Sequence, residues 1–115
     1  MVRPGYVYIL TNKPMGVPYI GVTDDLAKRV SEHRSRAVSS FSKRYNCHLL
    51  VWFERFENIH DARAFERQMK KWNRAWKINR IVQMNPFWRD LADDQVRFVD
   101  VEVLDAEAAP RRARP

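Results

Sequence analysis

Two tyrosines, an arginine and a histidine fall at spacings that let their side chains meet in one place. Tyr8 and Tyr19 lie in short aromatic runs, Tyr6-Val7-Tyr8-Ile9-Leu10 and Tyr19-Ile20-Gly21-Val22, which a tight hairpin would pair. Arg29 and His33 follow four residues apart, so a helix presents both on one face. Phenols, a guanidinium and an imidazole around one cleft suit a phosphodiester. The guanidinium forks onto phosphate oxygens, and the phenol or imidazole can take a proton from water. Each residue also has a plainer reading: strand tyrosines with their hydroxyls in water, a solvated helix arginine, a helix histidine bonded to a strand.

The elements that must position these residues are legible along the chain. Tyr6 to Leu10 reads as a strand, and Thr11 to Pro18, with Asn12, Pro14, Gly16 and Pro18, must turn. Tyr19 to Thr23 returns as the second strand. Thr23-Asp24-Asp25 offers N-cap side chains for a helix from about Asp24 to Arg36, with Leu26 and Val30 on its inner face. The serine-rich, basic run Ala37 to Tyr45 reads as an exposed loop. Leu49 to Phe56 is a strand apolar enough at its start for the middle of a sheet.

Asn58 or Asp61 then caps a helix whose stripe carries Ala62, Phe65, Met69 and Trp72, ending near Asn73. A second basic helix, Ala75 to Met84, is stopped by Asn85-Pro86. Phe87 to Leu91 is expected to fold back on the domain. The order β-β-α-β-α-α predicts an α+β domain: a small, mainly antiparallel sheet with helices packed on it. Residues 1–92 form that domain in this reading, 93–104 an extension with an extended stretch from Val96 to Leu104, and 105–115 a disordered basic tail.

Composition narrows the classes. The 115 residues, 45% hydrophobic and 30% charged, describe one ordinary globular domain. A single cysteine, Cys47, excludes an internal disulfide framework and a thiolate zinc site, and His33, His48 and His60 lack zinc-ligand spacing. No apolar stretch has the length of a signal peptide or a membrane span, so a cytoplasmic setting is expected. The formal net charge of +7 favours a polyanionic partner, nucleic acid first, although Arg111, Arg112 and Arg114 of the tail supply three of those charges.

Tyr6-Val7-Tyr8, Tyr19-Ile20-Gly21, Arg29, His33, a helical glutamate and an Asn-Pro, in that order, resemble the GIY-YIG endonuclease family. More narrowly, the chain resembles its small stand-alone bacterial members, the URI-domain or UPF0213-like proteins. The likeness covers roughly residues 4 to 92, and its one departure is Tyr6-Val7 where the motif has Gly-Ile. It implies a three-stranded antiparallel sheet flanked by helices, and hydrolysis of phosphodiesters with one divalent metal, Mg²⁺ or Mn²⁺. Carried over, it implies Tyr19 as general base, Tyr8 lining the pocket, Arg29 on the scissile phosphate and His33 as a pocket histidine. Glu66 becomes the metal ligand and Asn85 the residue that supports the site.

The residues themselves leave alternatives open. Glu66 lies on the inner stripe of its helix, where a buried carboxylate needs a cation. A single-carboxylate site suits Mg²⁺, which keeps several waters. Lys70, one turn on, is an equally available partner. A free phenol with pKa about 10 is a poor base until a nearby cation lowers that value. Lys43, Arg44 and Tyr45 form a basic, aromatic patch for backbone phosphates, or simply a solvated loop. The expectation is therefore a metal-dependent endonuclease acting on DNA. Its rivals are a binding module that keeps the fold without cutting, and a subunit that depends on a protein partner.

Overall fold

The computed structural model of the chain describes residues 2–35 and 45–92. Within them lie β1 (Gly5–Thr11), β2 (Pro18–Thr23), α1 (Leu26–Arg34), β3 (Leu49–Phe56), α2 (Ile59–Lys70) and α3 (Arg74–Met84). The strands form one sheet in the order β2-β1-β3, both pairs antiparallel. The α+β architecture expected from the sequence is the one observed. Lys43, Arg44 and everything from residue 93 on, including the proposed extension and tail, lie outside the described residues.

β1 is central because its side chains are apolar on both faces. Val7, Ile9 and Leu10 are fully buried, as a strand covered on two sides requires. On one face α2 and α3 close over Val7, Ile9, Val51 and Trp52 with Ala62, Met69 and Ile81. On the other, α1 brings Leu26 and Val30 against Tyr8, Leu10 and Leu50. The segment after α3 folds back as expected: the Leu91 amide donates to the Leu50 carbonyl at 2.7 Å, and Leu91 and Ala92 complete the α1 side of the core.

The β1–β2 turn holds Met15 in the left-handed region, at φ 59°. Three contacts offset that strain. Asn12 Oδ1 accepts from the Val17 amide at 2.9 Å, the Gly16 amide donates to the Lys13 carbonyl at 2.9 Å, and Arg74 Nη2 donates to the Met15 carbonyl at 2.6 Å. The first residue of α3 thus fastens the hairpin that carries both tyrosines.

Helix boundaries follow the caps. Asp25 accepts from the Lys28 amide and starts α1, and Asn58 rather than Asp61 caps α2 by accepting from His60 N. α2 stops at Lys70, short of the expected end near Asn73, because Asn73 caps α3 instead, accepting from the Trp76 amide at 2.9 Å.

Candidate active site

The hairpin register sets Tyr8 opposite Gly21 and Leu10 opposite Tyr19. Tyr8 and Tyr19 are therefore diagonal neighbours on one face, with ring centroids 6.4 Å apart. Gly21 is what lets the Tyr8 ring lie across β2. A Cβ at that position would stand 2.3 Å from the Tyr8 hydroxyl oxygen. The glycine of Tyr19-Ile20-Gly21 is therefore a steric requirement of the first tyrosine.

α1 supplies the third ring. His33, on the buried face with Leu26 and Val30, brings its centroid to 5.8 Å from Tyr8 and 4.9 Å from Tyr19. The Tyr8 hydroxyl and His33 Nε2 share a buried hydrogen bond of 3.1 Å. Both partners are held neutral. Burial first, then the Tyr19 phenol, pushes the Tyr8 phenol well above its ordinary range, with Glu66 and Glu32 adding to the shift and Arg29 opposing it. Burial and the Arg29 charge pull His33 down to about 4, against a smaller opposing effect of Glu32. The imidazole tautomer sets which of the two neutral groups donates in that bond.

Arg29 and Glu66 bound this cluster electrically, since both charges act on the Tyr8 phenol. Arg29 is half-exposed and pairs through Nε with Glu32 at 3.4 Å. Glu66 is 8% exposed, and its Oε2 lies 2.6 Å from Lys70 Nζ, the partner one turn along the helix. Among the described residues no group of three or more His, Cys, Asp or Glu side chains could cage a metal. The donor set near the tyrosines is hard oxygen from one nearly buried carboxylate. It fits a hydrated divalent ion that completes its shell with water and phosphate. The counter-ion of Glu66 in the structure is the exposed Lys70.

The structure thus brings Tyr8, Tyr19 and His33 into contact, with Arg29 and Glu66 near enough for their charges to act on Tyr8, while the hydrogen bonds of Asn85 go to β3 and to the segment after α3. Asn85 Nδ2 donates to the Val51 carbonyl at 3.1 Å and the Arg89 carbonyl at 2.7 Å, while its Oδ1 accepts from the Arg89 amide. It fastens the end of α3 to β3. Tyr45, the described member of the basic patch, is exposed. Arg34 was not among the residues singled out from sequence. It pairs with Asp90 at 2.6 Å and donates to the His48 and Ala92 carbonyls, pinning α1 to the returning segment. Nothing in its local sequence marks it, because all three partners are distant along the chain.

Comparison with known proteins gives a consistent picture. The model of the GIY-YIG catalytic domain matches residues 4–79. A Clostridium perfringens protein named as a UPF0213 protein is 36% identical over 76 residues, which are 66% of this chain and 81% of that protein. A UPF0213 protein of Pediococcus pentosaceus is 37% identical over 60 residues, covering 52% of this chain and 63% of its own length. No solved structure matches the chain.

Proposed function

The chain belongs to the GIY-YIG catalytic-domain family, a family of nucleases, and from that premise we propose that it is a metal-dependent endonuclease hydrolysing phosphodiester bonds in DNA. The observation that carries this reading is the cluster of Tyr8, Tyr19 and His33 on which Arg29 and Glu66 both act. Tyr8 is a poor base, because burial and its neighbours hold its proton on. Its hydrogen bond to His33 makes the two a fixed wall of the pocket. Tyr19, half-exposed at the sheet edge, is left to take the proton of the attacking water. Arg29 holds the scissile phosphate and offsets the charge that grows on it.

Glu66 would hold the divalent ion, Mg²⁺ or Mn²⁺, once Lys70 releases it. A bound ion of this kind polarises the phosphate and stabilises the leaving oxygen. A cytoplasmic setting goes with this reading: the lone cysteine is buried, and no helix among the described residues is long and apolar enough to cross a membrane.

One observation favours a second reading, a nucleic-acid-binding module without cleavage. The Lys70 ammonium at 2.6 Å neutralises Glu66, so the carboxylate need not repel phosphate in the absence of metal. Purified protein incubated with plasmid or single-stranded DNA, in Mg²⁺, Mn²⁺ or EDTA, separates the two when Glu66→Ala is run beside it. The nuclease reading expects metal-dependent cutting that the variant loses while it still binds. Salt-sensitive binding by both proteins and cutting by neither would replace it with the binding module.

A further inference from the structure

Two depressions open along one edge of the molecule, one at each end of β2. The first, about 290 Å³, lies at the start of the strand and is lined by Pro18, Tyr19, Ile20, Lys70 and Lys77. The second, about 140 Å³, lies at its end, with Val22, Thr23, Asp24, Arg29 and Arg63 in its lining. α2 runs beside the strand in the opposite sense, so Arg63 faces the Thr23 end and Lys70 the Pro18 end. Glu66 stands between them on the same helical stripe. The seven-residue step from Arg63 to Lys70 spans about 10 Å of helix. Glu66 therefore stands between two basic hollows, with Tyr19 in the wall of the first and Arg29 in the wall of the second.

The charges that line these hollows are not equally engaged. Asp24 is held by Arg3 at 2.9 Å, Arg29 by Glu32 and Lys70 by Glu66. Arg63 is exposed and has no carboxylate partner among the described residues. Lys77 Nζ reaches the Lys70 carbonyl at 3.4 Å, an acceptor that leaves its charge unneutralised. An unpaired cation at each end is an arrangement that a polyanionic strand would satisfy and a single small anion would not.

We propose that Arg63 and Lys77 bind the phosphates on either side of the scissile one, so that a nucleic-acid strand lies along β2 and α2. The inference rests on the nuclease reading for its midpoint and adds the substrate's path. Both contacts are to phosphate, so they fix position without reading bases. They also imply that substrates need phosphates on both sides of the cut.

The test measures binding of wild-type protein, Arg63→Gln and Lys77→Gln to a labelled DNA strand in EDTA over a salt series. Arg55→Gln on β3 removes the same charge away from the path. Each path variant is expected to weaken binding uniformly across sequences and to flatten the salt slope by about 0.7 for single strands or 0.9 for duplex. Arg55→Gln should do neither, and Arg63→Lys should restore the slope. In Mg²⁺ the path variants should raise KM and leave kcat unchanged. Wild-type slopes in both variants, with cutting intact, would overturn the path and leave the nuclease standing, as would equal losses in Arg55→Gln. The expected slopes in a protein that cuts nothing would retain the path and remove the nuclease. Absence of any binding would overturn both.

Discussion

The face of the sheet under α2 and α3 buries Val7, Ile9, Val51, Trp52, Ala62, Met69 and Ile81, whereas the face under α1 gives core positions to a phenol and an imidazole. On the first face even the cation serves packing. Arg80 sits 5.1 Å from the Trp72 ring centre, 5.4 Å from Phe65 and 5.9 Å from Trp52, with Glu54 as a distant ion-pair partner. On the second, Tyr8 and His33 satisfy each other at 3.1 Å in surroundings that keep both uncharged. A buried polar pair of this kind adds little net stability, since folding only exchanges its hydrogen bonds with water for one another. What it does is hold two rings in fixed orientation beside Tyr19. The aromatic face stabilises the domain, and the α1 face spends part of that stability on placement.

The comparison is broken most severely through Tyr19. Tyr19→Phe should cut the cleavage rate by about 10² to 10⁴-fold, the usual worth of a general base, with thermal unfolding close to that of the wild type. A variant that cleaves at nearly the wild-type rate would move the base to solvent.

The next effect belongs to His33 and to pH. Its folded-state pKa of about 4 lies below the ordinary 6.5, so between those values the unfolded chain binds a proton that the folded chain refuses. Stability is therefore complete above pH 6.5, declines as the pH falls toward 4, and loses nothing more to this group below that. At about 1.4 kcal/mol per unit, the contribution is on the order of 3–4 kcal/mol. Denaturant unfolding of the wild type and His33→Gln across that range should show the slope in the wild type and its loss in the variant. Parallel curves would mean that His33 takes up its proton in the folded protein as readily as outside it.

The smallest effect sharpens the contrast from the other side. Arg80→Gln should lower stability by about 0.5–2 kcal/mol, the range for a cation over aromatic rings, and leave cleavage per folded molecule unchanged. A loss of rate without a loss of stability would show that the Arg80 cluster takes part in the chemistry.

How much of this was legible before the structure differs from residue to residue. Arg29 and His33 share a face because helical periodicity is local, and their spacing sufficed to pair them. Tyr8 and Tyr19 meet because a hairpin with turn residues at Asn12, Pro14 and Gly16 has few registers that keep its apolar residues covered. The helix after Asn58 or Asp61 and the place of Glu66 on its inner stripe were equally plain, yet the partner of Glu66 was not. Periodicity tells which way a carboxylate points along a helix and nothing about what stands opposite. Both partners expected for it, a cation bound from solution and Lys70, are compatible with the same stripe, and the structure holds Lys70.

By itself, then, the amino-acid sequence determined the order of strands and helices, the tyrosine hairpin and the Arg29–His33 face, because hydrogen bonding and side-chain alternation act over a few residues. Only the tertiary structure decided that Gly21 must lack a Cβ beneath Tyr8, that Tyr8 bonds to His33, and that Asn85 is a strut to β3. It alone also set Arg63 and Lys77 at opposite ends of one strand. Those relations join residues more than a dozen positions apart, and their energies come from steric exclusion, burial and charge in a shared volume that exists once the sheet and helices have closed on one another.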